Sequence, residues 1–347
     1  MAKQLIATEN ISCTLDLESD GKRLGNLNLQ FSDNQHAFDS IPIPIAVIKN
    51  GKGPTVLLSA GNHGDEYEGQ VILRRMIHQL EAGQINGRLI ILPALNYPAV
   101  LADSRLSPLD QGNLNRSFPG DEFGSPTANI AHFITTQLLP LADAGIDLHS
   151  GGTRTYYLPM AFLCSCEDPA IMQKSQAMCD AFNAPFTLLV RGEESSTGFD
   201  PVAQKLGVPF ISAELNGGAN VDIAATRIGL EGVNNVLRQL GVLSSGEIAE
   251  SNTRYLDGIG GLHHVTAAYS GIFEPAQELG DQVSEGDLAG YLYSTEEIER
   301  APLQLTFSHP GIIAVKRNGA RVRRGGHVFL LAQEIDRADM ADIISRT

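Results

Sequence analysis

The chain has 347 residues, 43% hydrophobic and 19% charged, a globular composition with room for a substantial core that excludes disordered and fibrous classes. Its formal charge of −15 argues against nucleic acid or anionic membrane as partner, because a phosphate-tracking surface needs a basic field. The first ten residues hold no apolar signal core and no run approaches the ~20 apolar residues of a membrane span, so a soluble cytoplasmic protein is expected.

In chain order, three strand-like stretches come first: Ile11 to Leu17, Leu24 to Phe31 and Ile41 to Ile48. Val56, Leu57 and Leu58 then read as a buried strand. It stops at Gly61-Asn-His-Gly-Asp-Glu66, and Glu66 to Leu80 is amphipathic, with Val71, Ile72, Met76, Ile77 and Leu80 at helical spacing. Arg88 to Leu95 is a second strand. The stretch from Ala99 to Gly124 has little periodicity, and a loop that long in a compact domain is usually functional or disordered. Pro126 opens a helix through Leu139. Gly145 to His149 and Met160 to Cys166 read as strands, Asp168 to Phe182 as a helix and Phe186 to Val190 as a strand. Pro201 to Leu206 is a short helix, Val208 to Glu214 a strand, and Asp222 to Leu240 a closing helix. Strands alternating with helices give the expected class: α/β, with a mostly parallel central sheet flanked by helices.

Residues 243 to 254 are polar and small and read as a linker. Beyond them the pattern turns all-β. Ser270 to Pro275 with Leu279 to Gly286 is echoed by His309 to Ala314 with Val322 to Gly326, a duplicated hairpin unit. The expected division is a β-rich amino-terminal segment (1–40), an α/β catalytic domain (41–245), an all-β barrel-sandwich-like domain (255–335) and a carboxyl-terminal tail (336–347).

Ligand-type side chains stand at the ends of predicted strands: His63 with Glu66, then His149, then Glu214. His63-x-x-Glu66 alone is weak, because 9 His among 40 acidic residues give about one such spacing by chance. In a parallel sheet all these ends open on one edge, where ligands collect. Two His and one Glu with an open position is the pattern of a catalytic zinc site, in which the metal polarises a carbonyl and lowers the pKa of water. Gly61, Gly64, Gly151 and Gly152 leave room for close backbone approach. Asp147 is placed to orient His149, and Arg105, Asn115 and Arg116 ride on the long loop. Cys13, Cys164, Cys166 and Cys179 lack knuckle spacing and are expected to be buried or free thiols.

Gly61-Asn-His-Gly-Asp-Glu66, Asn113-Leu-Asn-Arg-Ser-Phe-Pro-Gly120, Asp147-Leu-His-Ser150 and Ala213-Glu214 together resemble the succinylglutamate desuccinylase/aspartoacylase family, relatives of the zinc carboxypeptidases. The resemblance covers roughly residues 40 to 335. It implies one Zn2+ per chain, held by His63, Glu66 and His149, with Glu214 as the base that takes a proton from the attacking water. It further implies that Arg105 polarises the scissile carbonyl and holds the oxyanion, and that Asn115 and Arg116 bind the substrate carboxylate. One departure is visible: the family often has Asp where this chain has Asn113, which touches a supporting contact. Within the family, the length, the β-rich opening and Asp147-Leu-His-Ser-Gly-Gly152 are similar to the deacetylases of ectoine catabolism, which act on N2-acetyl-2,4-diaminobutanoate. That substrate carries an ammonium, which Glu193, Glu194 or Asp200 could meet.

The expected activity is deacylation of a small N-acyl amino acid. Alternatives are a desuccinylase or aspartoacylase-type specificity, a carboxypeptidase, or a non-catalytic module, since the duplicated tail is also similar to biotinyl/lipoyl carrier domains. A carrier needs a Lys at the hairpin tip, and Leu292 to Arg300 has none. The tail is therefore expected to cap the active site or to mediate homo-oligomer assembly. His78 and His132 lie in predicted helices and read as packed or exposed. Adjacent His263 and His264 point to opposite faces of a strand and cannot easily share a metal. Tyr156 and Tyr157 fit the pocket lining and the strand core equally well.

Overall fold

The computed structural model describes residues 6–32, 37, 39–191, 197–247, 250–258, 260 and 262–340, so most of the expected tail, 341–347, lies outside the described residues. The strand Thr55–Ala60 is buried throughout, and its side chains divide between two cores. Val56 and Leu58 join the core under the helices Glu68–Gln79, Pro169–Phe182 and Ile223–Gln239. Leu57 joins the opposite core, made by the amino-terminal strands and the helix Pro126–Phe133. A strand covered on both faces has no polar side, which is why the sequence shows an unbroken apolar run there.

Gly87–Leu92, Thr55–Ala60, Ala144–His149 and Phe210–Glu214 lie side by side and parallel. The α/β class with a flanked central sheet is therefore the observed one. Asp39–Asn50 adds to Gly87–Leu92 antiparallel, and Gly21–Phe31 adds antiparallel to that. On the far side the direction reverses: Met160–Cys164 pairs antiparallel with Phe210–Glu214 and parallel with Phe186–Val190.

Arg254–Asp257 pairs with Phe186–Val190 on one side and His327–Ile335 on the other, so the carboxyl-terminal β region continues the central sheet. The echoed hairpin units interlock. Gly271–Pro275 of the first pairs with Arg321–Val322 of the second, and Gln282–Val283 of the first with Gly311–Arg317 of the second. They enclose Phe273, Leu292, Phe307, Phe329 and Leu331. His263 stacks on His309 and His264 meets His327 edge-on, so the adjacent histidines separate.

Some element boundaries differ from the sequence reading. The helix expected through Leu139 leaves α geometry after Phe133. Ile134–Leu138 is a π turn and Leu139–Leu141 a 3-10 turn, because Pro140 has no N–H to continue the ladder. Tyr97–Leu101 forms a short helix with Pro98 in its first turn, where a missing N–H is harmless. The helix expected from Pro201 runs Phe199–Lys205 behind Gly198. All four cysteines are free, and Cys13, Cys164 and Cys179 are buried. Among the described residues, no helix is long and apolar enough to cross a membrane.

Candidate active site

The strand Thr55–Ala60 ends at Gly61, whose φ of +70° lets the chain turn over the sheet edge. Gly64 then passes against the backbone of the next loop: a Cβ there would stand 2.0 Å from the Ala99 carbonyl oxygen. The Gly64 N–H donates to the Ser104 carbonyl at 2.9 Å. This close passage delivers His63 and Glu66 to the carboxyl edge just before the helix Glu68–Gln79. His149 is the last residue of Ala144–His149, and Glu214 stands opposite it at the end of the adjacent parallel strand.

Glu66 is the centre of the cluster. Its Oε1 lies 2.7 Å from His63 Nδ1 and accepts from Arg105 Nη1 at 3.1 Å. Its Oε2 lies 2.8 Å from His149 Nδ1 and accepts from the Ser150 N–H at 3.2 Å. His63, Glu66 and His149 are all at most 5% exposed. The other nitrogens face acceptors: His63 Nε2 lies 3.1 Å from Asn113 Oδ1, and His149 Nε2 lies 2.7 Å from Asp147 Oδ2, without the alignment of a hydrogen bond. Acceptors at Nε2 favour the proton there and leave Nδ1 for a metal.

The donor set fits a divalent cation. Two imidazole nitrogens and one carboxylate, all buried, have ligand atoms within 4.8 Å of one another. The electrostatics agree. Burial alone would push Glu66 up, yet the neighbouring His149 and His63 hold it well below the usual carboxylate range. Burial would likewise lower His149, but Asp147 and Glu66 hold its proton well above the ordinary value. The pocket is built to stabilise positive charge between carboxylates.

Glu214 has the opposite environment. Burial, and then the charge of Glu66, push its carboxyl up to about 8, with His149 and Arg105 opposing. Its Oε2 is buried without a partner among the described residues. Tyr157 is drawn into the same field: the Glu214 charge first, then burial, raise its phenol, while Arg105 and Arg116 act the other way. Tyr156 instead bridges to Gly217 and covers Gly218 with its hydroxyl.

The long loop brings the remaining candidates. Arg105 reaches Glu66 with its side chain 50% exposed. Asn115 divides its amide, Oδ1 accepting from the Phe199 N–H at 3.0 Å and Nδ2 left for another acceptor. Arg116 is exposed and donates from Nη1 to the Asn115 carbonyl at 2.6 Å. Asp110 anchors the loop, accepting from the N–H of Gly112 at 3.0 Å and from the N–H and hydroxyl of Thr127 at 2.8 and 2.7 Å.

Residues 52–240, which carry all of these side chains, match the succinylglutamate desuccinylase/aspartoacylase catalytic domain. The chain belongs to the succinylglutamate desuccinylase/aspartoacylase family. It is 35% identical over 327 residues to the N-alpha-acetyl-L-2,4-diaminobutyric acid deacetylase of Halomonas elongata, covering 94% of this chain and 96% of that protein. Among solved structures, it is similar to a product-bound ectoine utilization protein of Ruegeria pomeroyi. The identity is 36%, the TM-score 0.89, and the match covers 94% of this chain and all of that one. A succinylglutamate desuccinylase/aspartoacylase of Rhodobacter sphaeroides gives 34% identity and a TM-score of 0.87, over 94% of this chain and 100% of that one.

In this family member a buried polar row supports the cluster, and sequence reasoning missed most of it. Ser59, Asp147 and Ser212 occupy matching positions on three adjacent strands. Ser59 Oγ donates to Asp147 Oδ1 at 2.7 Å and Asn62 Nδ2 to Asp147 Oδ2 at 2.9 Å, which fixes Asp147 behind His149. Ser212 Oγ donates to Asp200 Oδ1 at 2.5 Å, and burial pushes the Asp200 carboxyl up to about 6. In the sequence the row shows only as one polar residue inside each apolar strand, Ser59, Asp147 and Ser212. Glu193 and Glu194 lie outside the described residues.

Proposed function

We propose that this protein is a metal-dependent deacylase that hydrolyses the amide of a small N-acyl amino acid, with N2-acetyl-L-2,4-diaminobutanoate as the substrate. The observation that carries the reading is the meeting of Glu214 with the His63–Glu66–His149 cluster on one edge of three adjacent parallel strands. Its specificity rests on likeness to the Halomonas elongata deacetylase. His63, Glu66 and His149 would hold the cation, Zn2+ by the chemistry of the set. Such an ion supplies Lewis acidity to the carbonyl and to water, and its charge favours the ionised form of Glu214.

The residues then divide the work. Asn115 Nδ2 and the Arg116 guanidinium bind the amino-acid carboxylate and set the acyl group against the cluster. Glu214 takes a proton from water as its oxygen bonds to the carbonyl carbon. Arg105 swings from Glu66 to the carbonyl oxygen and holds the negative charge that develops there. Glu214 then gives the proton to the departing nitrogen as the C–N bond breaks, yielding a carboxylic acid and a free amine. Burial and the Glu66 charge alone favour the protonated carboxyl of Glu214, so its work as a base, and its later release of the proton to the leaving nitrogen, depend on the opposing charge of a bound cation.

The test is hydrolysis of a panel of N-acetyl and N-succinyl amino acids and short peptides by the metal-loaded protein beside Glu214→Gln. Selective release of acetate from N2-acetyl-2,4-diaminobutanoate, lost in the variant, is the expected result. Turnover of peptides alone, or of no panel member despite bound metal, overturns the reading.

A further inference from the structure

Away from the catalytic cluster, a cavity of about 150 Å³ opens where the strand Thr155–Tyr157 meets the carboxyl-terminal β region. Its polar lining consists of Arg154, Thr155, Arg317 and His327, above a floor that includes Val315 and Phe329. Among the described residues no carboxylate lines it. In a chain of net charge −15, this is an unusual gathering of positive charge. The same hairpin also carries Arg321, Arg323 and Arg324, and among the described residues none of these five arginines pairs with an acidic group. Of these, Arg154 and Arg317 line the cavity together with His327, and an anion seated there would offset their like charges.

The cavity is held in shape by the backbone. Thr155 faces Arg317 across an antiparallel pair. The Asn318 N–H donates to the Arg154 carbonyl at 2.8 Å, and Asn318 Nδ2 to the Thr153 carbonyl at 3.0 Å. Arg317 donates from Nε and Nη2 to the Arg321 carbonyl at 3.3 and 3.1 Å, which fixes the plane of its guanidinium and leaves Nη1 to a ligand. Two guanidiniums, a hydroxyl and an imidazole are donors suited to several oxygens on one small centre. The volume is well below the roughly 300–1,000 Å³ of sites for drug-sized molecules, so the ligand is small.

We propose that this cavity is a binding site for a small oxyanion, a phosphate or a carboxylate, separate from the site of amide hydrolysis. The ligand ties Arg154 to Arg317 and His327, and so ties the segment after His149 to the β region.

The experiment is isothermal titration of the full-length protein at low ionic strength with inorganic phosphate and, separately, with acetate. Wild type, Arg116→Gln, Arg154→Gln and Arg317→Gln are compared, with melting temperatures recorded for each. Saturable one-to-one binding that survives in Arg116→Gln and weakens about tenfold or more in Arg154→Gln is expected. Arg154 has an exposed side chain, so its variant decides the matter even if Arg317→Gln fails to fold. The tighter of phosphate and acetate names the source of the oxyanion. Binding that is lost in Arg116→Gln but kept in Arg154→Gln places the anion in the catalytic cleft and overturns the proposal, as does the absence of saturable binding in wild type.

Discussion

Asn113 shows how much a single side chain can decide. It stands where the family often has Asp, and its Oδ1 faces His63 Nε2 at 3.1 Å, keeping the acceptor that orients the imidazole but without a charge. Removing such an acceptor typically lowers metal affinity about 10–100-fold. Asn113→Ala is expected to do so in competition with a chelating dye, with Asn113→Asp restoring tight binding; equal affinity in all three proteins would show that His63 needs no such partner. At Glu214, loss of proton transfer is expected to lower kcat by about 10²–10⁴ in Glu214→Gln while bound metal is unchanged. A variant that loses metal as well would make Glu214 a ligand instead. His63, Glu66, His149 and Glu214 could be read from sequence because each combines a ligand-type side chain with the end of an apolar strand. Ser59 and Ser212 could not, because an isolated serine in a buried strand has no distinctive spacing, and its partner is fixed only by sheet register.

At the scale of elements, the long loop depends on Asp110. Burial pushes that carboxyl up, but hydrogen bonds from Ser125, Thr127 and Gly112 outweigh it, so its net direction is down. A lowered carboxylate contributes stability that is present above the unfolded value of about 3.9 and is lost as pH falls through the folded one. Urea denaturation of wild type and Asp110→Asn is therefore expected to differ by about 1 kcal/mol at neutral pH, since hydrogen bonds to a charged acceptor are weakened at a partly exposed site, the gap closing toward acid. A gap that widens in acid would contradict this assignment. The same variant is expected to raise KM more than it lowers kcat, since the loop carries Asn115 and Arg116. Gly64→Ala, with its Cβ 2.0 Å from a backbone oxygen, is expected to cost about 1–3 kcal/mol in the same assay. Element types were legible from periodicity, whereas several ends were not. The stop at Phe133 depends on what Pro140 does to the turn before it, and the start at Phe199 on the Asn115 amide that receives its N–H.

At the scale of the molecule, the catalytic strands and the β region share one sheet. Removing residues 254–347 would bare the edge of Phe186–Val190 and take the partner of Thr155–Tyr157. The truncated chain is expected to be insoluble and inactive, and a soluble, active fragment would show that the β region is dispensable. The α/β class and the echoed hairpins were visible in the sequence, since each is a local pattern. Their joining was not, because a pairing such as Leu188 with Leu256 leaves no local periodicity. That joining also sets an order of events during synthesis. At about 5–20 residues per second, several seconds separate the emergence of Phe186–Val190 from that of its flanking strand and the hairpin that closes on Thr155. Until then a strand edge with unpaired N–H and C=O groups waits open beside the half-assembled rim, where chaperones would be most needed. Completion of that sheet thus waits on residues 254–335, which emerge long after the strands they join.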